Sequence, residues 1–203
     1  MPRMPRRQYA GAWHHVMNRG ANHQATFLTA NDRLAFLALL GEVVDKFGIE
    51  VHAYCLMTNH FHVLIRTPEP VLDTAMQRLI GGYTRHFNDR HERDGALFRG
   101  RYCSILVETE RYLAALTRYI HRNPTSICGP KFPAYPWSSY PAYRGERPPE
   151  PWLELDFTLK QIGGRERYRG LVENDLVTDV DRLLSRPRPP RILSDDPEEG
   201  SDP

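Results

Sequence analysis

The stretch Asn59-His60-Phe61-His62-Val63-Leu64-Ile65 holds residue types and spacing suited to chemistry. After the polar Thr58-Asn59 pair, the Phe, Val and Ile of this run favour a half-buried strand. Strand side chains alternate faces, so His60, His62 and Leu64 share one side, and Phe61, Val63 and Ile65 the other. The apolar trio should face a core, which leaves two imidazoles side by side on the opposite face. Two neutral imidazoles at that spacing can bind one divalent ion from a single surface. Two ordinary half-exposed sheet histidines would look the same, so a second constellation has to decide.

Residues 109–122, TERYLAALTRYIHR, supply it. Leu113, Leu116 and Ile120 make the buried stripe of a helix, and Tyr119 and Asn123, four apart, project from one face at its edge. A tyrosine beside an apolar stripe is ordinarily packing. Laid against the sheet face that carries the histidines, Tyr119 would approach a metal held by His60 and His62, with Asn123 as a third ligand.

The remaining elements must position these groups. Residues 12–18 read as a first strand, and Asn31-Asp32 starts a helix over 32–47 that Gly48 ends. Residues 49–56 alternate as a second strand, turning through Met57-Thr58-Asn59 into the His60–Ile65 strand. A second helix runs over about 71–91 with Gly81-Gly82 inside it, a cost of about 1 kcal/mol per glycine. Either that helix breaks there or a close approach needs the glycines. Residues 97–107 form a fourth strand. Thr109 caps the tyrosine helix, which stops at Asn123 because a residue before proline avoids helical angles.

This order describes an α+β, ferredoxin-like antiparallel four-stranded sheet with two helices on one face. The other face is left free for function and for the catalytic helix. Residues 1–124 form the core, and 125–185 a proline-rich extension packed on it with short helices. Residues 186–203 are expected to be a disordered acidic tail.

With 203 residues and 40% hydrophobic content, the chain can bury one core of good size. No apolar run approaches membrane-spanning length, and residues 1–7 lack the apolar segment of a signal peptide. Cys55, Cys103 and Cys128 show no Cys-x-x-Cys spacing, which fits reduced thiols in a cytoplasm. The net charge of +2 conceals an asymmetry. Residues 194–203 carry five acids and no Lys or Arg, so the rest of the chain stands at +7. Lys46, Lys131 and Lys160 are the only lysines, and arginine's planar fork suits phosphate contacts. A modestly basic body fits a nucleic-acid partner and no membrane.

CLMTNHFHVLI, LFRGRY, the Tyr-Ile-His-Arg-Asn-Pro run at 119–124 and PWSSY occur in that order. Together they resemble the single-tyrosine HUH transposases, and most closely the REP-associated tyrosine transposases. The resemblance covers roughly residues 9–145, and Asn-Arg-Gly at 18–20 fits the family's first strand. It implies that His60 and His62 bind the metal, that Tyr119 is the nucleophile and that Asn123 is the third ligand. It further implies a metal-dependent endonuclease and strand transferase acting on single-stranded or hairpin DNA, through a 5′-phosphotyrosine and a free 3′-hydroxyl. Mg²⁺ and Mn²⁺ are both candidates: imidazoles favour the softer ion, abundance the harder. The alternative keeps the fold and discards the reaction, giving a hairpin-binding or regulatory protein.

Arg78, Arg85, Arg99 and Arg101 are candidates to line a DNA groove, and Arg6 and Arg7 belong to a basic arm suited to a minor groove. Tyr102 and Tyr140 are candidate base-stacking groups. His14, His15, His52 and His121 receive no role. The segment after Pro124 is long enough to hold the tyrosine helix within one chain, so a monomer is expected, with a helix-exchanging dimer as the other arrangement.

Overall fold

The computed structural model describes residues 7–174, 177–186 and 191–193. Arg6 and the acidic residues 194–203 lie outside the described residues. Strand β1 spans Ala12–Arg19, helix α1 Ala30–Phe47, β2 Glu50–Leu56 and β3 His60–Thr67. Helix α2 spans Leu72–Arg90, β4 Cys103–Val107 and α3 Arg111–Arg122. The sheet runs β2-β3-β1-β4, with antiparallel pairing throughout this part. That is the ferredoxin-like order expected from the element pattern.

Three boundaries differ from the sequence reading, each for a local reason. Helix α1 starts at Ala30 because Thr29 caps it: its side chain accepts from the Asp32 amide, and the Asp32 carboxylate accepts from the Thr29 amide. Strand β4 begins only at Cys103. Upstream, Leu97 and Phe98 turn into the core while the Arg99 amide donates to the Arg19 carbonyl, so this stretch packs on the end of β1 as a loop. Thr109 does not cap α3, whose start at Glu110 has no side-chain cap.

Phe61, Val63 and Ile65 are fully buried in the layer formed with α1 and α2, beside Phe36, Leu40, Met76 and Leu79. The opposite face carries α3, as the element pattern led one to expect. Leu113, Leu116 and Ile120 of α3 bury against Leu64, Cys55 and Ile105 in a second core. The stripe on α3 demands this, since exposing it would forfeit about 1.5–3 kcal/mol per large side chain.

After α3 come α4 (Thr125–Cys128), α5 (Tyr140–Tyr143), α6 (Asp156–Ile162), α7 (Arg165–Glu173) and α8 (Asp179–Leu184). Val180 and Leu184 of α8 enter the second core. Ile192–Leu193 forms β5, parallel to β4, with Leu193 buried. These two residues fall in a stretch expected to be disordered; β4's open edge offers them backbone partners. Among the described residues no helix is long and apolar enough to cross a membrane.

Helix α2 runs unbroken through Gly81-Gly82. A Cβ at Gly81 would meet nothing within 4 Å, and one at Gly82 would meet Leu39 at 3.5 Å, an ordinary contact. Packing requires neither glycine. Gly81→Ala should therefore stabilise the protein by about 0.5–1 kcal/mol through backbone entropy and helix propensity. A lowered urea midpoint in this variant would show that an unseen constraint acts on α2.

Candidate active site

Strand β3 begins at His60, directly opposite Arg19, the last residue of β1. His62 lies opposite Met17, and His15 sits diagonally across on β1. Arg19, Met17, His15, His60 and His62 thus share the α3 face of the sheet. The His60 and His62 rings stand edge to face with centroids 5.1 Å apart. The Tyr119 ring meets the His62 ring edge-on at 5.8 Å and the His15 ring at 6.0 Å. Asn123, one turn further along, donates from Nδ2 to the Tyr119 carbonyl at 2.9 Å, and its side chain lies close enough to act on the protonation of the His60 ring and the Tyr119 phenol. The fold thus brings His60, His62, Tyr119 and Asn123 to one point.

The polar side of α3 determines where Tyr119 sits. Arg118 is 1% exposed, and donates to Asp181 at 2.7 Å, to the Leu171 carbonyl at 2.9 Å and to the Asn174 carbonyl at 3.2 Å. Arg122 donates to the carbonyls of Val172 at 2.6 Å and Asn174 at 2.7 Å. His121 bonds the Tyr168 hydroxyl through Nδ1 and the Ser139 hydroxyl through Nε2. Three side chains flanking the tyrosine therefore tie α3 to the extension of its own chain.

Burial dominates the electrostatics. It pulls His60 down to about 4, with the Arg19 charge adding to the effect and the Asn123 hydrogen bond opposing it. His62 is pushed well below the ordinary range by burial, then by His15, His60 and Arg19. Burial alone takes His15 to about 3. Both candidate ligands are thus neutral at pH 7 and hold a lone pair for a cation. Burial raises the Tyr119 phenol; its Asn123 hydrogen bond and the Arg19 charge oppose that rise, and Asp181 adds to it.

Among the described residues no three His, Cys, Asp or Glu side chains gather as a metal cage. Two imidazoles and an amide make an incomplete, uncharged donor set. Such a set suits Mn²⁺, and suits Mg²⁺ when phosphate oxygens complete it.

The arginines divide. Arg99 and Arg101 are exposed on the loop that packs against the end of β1, beside Arg19. Arg78 and Arg85 are exposed on α2, in the layer on the other side of the sheet from Tyr119. Arg7 is exposed ahead of the start of β1, at the opposite end of that strand from Arg19. Tyr102 is 7% exposed with its hydroxyl on Asp73, and Tyr140 is fully buried with its hydroxyl on Glu173, so neither offers a face to a base. Sequence reasoning missed Arg19 and His15 as site residues, because strand register alone brings β1 beside β3. The Asn-Arg-Gly at 18–20 was the one visible signal.

The family description "Transposase IS200 like" matches residues 8–123, more than half of the chain. The chain belongs to the IS200-like transposase family. Members of this family are enzymes of DNA transposition. The solved structure of a REP-associated tyrosine transposase bound to a REP hairpin shares its fold, with a TM-score of 0.58 and 15% identity over 78% of this chain and 93% of that one. A putative transposase from Deinococcus radiodurans aligns at 20% identity with a TM-score of 0.41, over 58% of this chain and 95% of that one. No curated protein sequence matches the chain.

The neutral histidines set a pH dependence. In the unfolded chain each takes up a proton near 6.5, whereas His60 holds off to about 4 and His15 and His121 to about 3. Their contribution to stability is present above about pH 6.5 and is lost as pH falls toward 4. Urea unfolding free energies should decline across that window. A flat profile between pH 7 and 5 would contradict neutral, buried rings.

Proposed function

We propose that this chain cuts single-stranded DNA at hairpin-forming sequences with Tyr119 and transfers the cut strand. The observation that carries this reading is the meeting of Tyr119 with the paired histidines, with Asn123 held one turn away on the same helix face. A phenol beside a metal site has a use in phosphoryl transfer that it lacks in ordinary packing. The hairpin partner is inferred from the similar structure, which is bound to a REP hairpin.

His60, His62 and Asn123 would hold Mg²⁺ or Mn²⁺, which when bound neutralises charge on the scissile phosphate. The Tyr119 oxygen attacks phosphorus in line, the bond to the 3′-oxygen breaks, and the phenol's proton passes through solvent to that oxygen. The products are a 5′-phosphotyrosine and a free 3′-hydroxyl. The ester conserves the bond energy, so a second 3′-hydroxyl can reverse the step without ATP. Helix α3 keeps the phenol oriented, and Asn123 and Arg19 favour the phenolate as it attacks.

Arg19 supplies the positive charge. It is exposed, faces His60 across the strand pair, and acts on His60, His62 and Tyr119 alike. With Arg99 and Arg101 it lines one corner of the site, where a phosphate backbone would run. Arg78, Arg85 and Arg7 sit far enough from this corner to touch only DNA that wraps the body.

A 3′-end-labelled hairpin incubated with Mg²⁺ or Mn²⁺ should shift to the protein's mass on a denaturing gel. Tyr119→Phe should bind the hairpin as the wild type does and form no adduct. Cleavage without an adduct, retained in Tyr119→Phe, would make water the nucleophile and end the tyrosine reading. Arg19→Ala should slow adduct formation by about 100-fold, the usual loss when a preorganised group facing developing charge is removed. Binding should weaken steeply with salt as counterions are released. An unchanged rate in Arg19→Ala would remove Arg19 from the phosphate site.

A further inference from the structure

Both candidate metal ligands have their inner ring nitrogen engaged by a neighbouring side chain. Asn59 Nδ2 donates to the His23 carbonyl at 3.2 Å, which fixes the amide and leaves its oxygen 2.7 Å from His60 Nδ1. An amide oxygen only accepts. The proton of His60 therefore sits on Nδ1, and Nε2 carries the lone pair.

His62 Nδ1 lies 2.9 Å from His15 Nε2. Between two neutral rings, one nitrogen must donate and the other accept. If His15 donated, His62 would carry its proton on Nε2 and would have no lone pair to offer there. The ligand role requires the other arrangement, in which His62 Nδ1–H donates to His15 Nε2. His15 then holds its own proton on Nδ1.

That His15 Nδ1 is buried and has no hydrogen-bond partner among the described residues. His121 satisfies both ring nitrogens, with Tyr168 and Ser139, whereas His14 and His52, like His15, leave buried ring nitrogens without a hydrogen-bond partner among the described residues. The single hydrogen bond of His15 goes to His62. We propose that His15 and Asn59 are positioning residues, each accepting from Nδ1–H of one ligand histidine so that both Nε2 atoms face the ion. Outer partners of this kind set the tautomer and aim of a ligating imidazole, and losing one typically weakens metal binding by about 10- to 100-fold. The proposal rests on the metal site described under the proposed function.

Mn²⁺ titrated into the metal-free full-length protein, followed by the electron paramagnetic resonance of the free ion, tests both levels. His15→Leu and Asn59→Ala should each bind Mn²⁺ about 10- to 100-fold more weakly than wild type, with melting temperatures little changed. His15→Gln, which restores an acceptor, should recover much of the loss, and Asn59→Asp should bind at least as tightly as wild type. If His15→Leu and Asn59→Ala bind like wild type while His60→Ala does not, the positioning role is overturned and the metal site stands. If wild type binds no Mn²⁺, or His60→Ala binds equally well, the metal site itself falls, and this proposal with it. Should His15→Leu fail to fold, long-range ¹H–¹⁵N correlations on the metal-free wild type decide, because there the neighbouring side chains alone set the tautomers. Nδ1–H on both His60 and His62 supports the proposal, and Nε2–H on either overturns it.

Discussion

The placement of α3 over the second sheet face is the constraint on which the site depends. Its apolar stripe, Leu113, Leu116 and Ile120, has nowhere to go but onto Leu64, Cys55 and Ile105. That burial determines which side of the helix faces the sheet but not how far along the sheet the helix sits. Arg118, His121 and Arg122 supply that second coordinate through their bonds to the chain's own C-terminal extension. Arg118 is the strictest of them. A buried guanidinium is tolerated only when its donors are met, and Asp181 with two backbone carbonyls meets them. A hydrophobic contact alone would let the helix slide by a turn; a fully bonded buried arginine does not.

The same packing creates the electrostatics. Covering the histidines with α3 keeps them neutral, which suits a ligand and would be a handicap for an acid catalyst. The cover is incomplete at the end where β1 stops and β3 starts, and there Arg19, Arg99 and Arg101 are exposed. The result is an uncharged donor set beside a cationic corner, with no metal cage among the described residues. Such a site is short of negative charge, which under the proposed function a phosphate backbone would supply.

Sequence reading succeeded where one physical signal dominated. The alternation at 60–65 placed Phe61, Val63 and Ile65 in the core and both histidines on the other face, because a strand offers only two sides. It faltered where signals competed. Residues 97–102 look like strand from their aromatic and aliphatic content, yet Leu97 and Phe98 anchor a loop against β1. Ile192 and Leu193 look unstructured amid prolines and acids, yet an open strand edge recruits them. In both places, partners remote in sequence outweighed local propensity.

By itself, the sequence determined the element order, the two faces of β3 and the i,i+4 pairing of Tyr119 with Asn123. These follow from backbone periodicity, which any short window of chain displays. Only the tertiary structure decided which other residues join the site. His15 precedes His62 by 47 positions, and the two rings meet because β1 and β3 pair in one register and no other. A shift of one residue would turn His15 into the opposite core. Arg19 becomes a site residue by the same register, and the carbonyls that hold Arg118 come from a segment about fifty residues downstream. Contacts of that kind are set by how layers pack, and no local pattern of residue types encodes them.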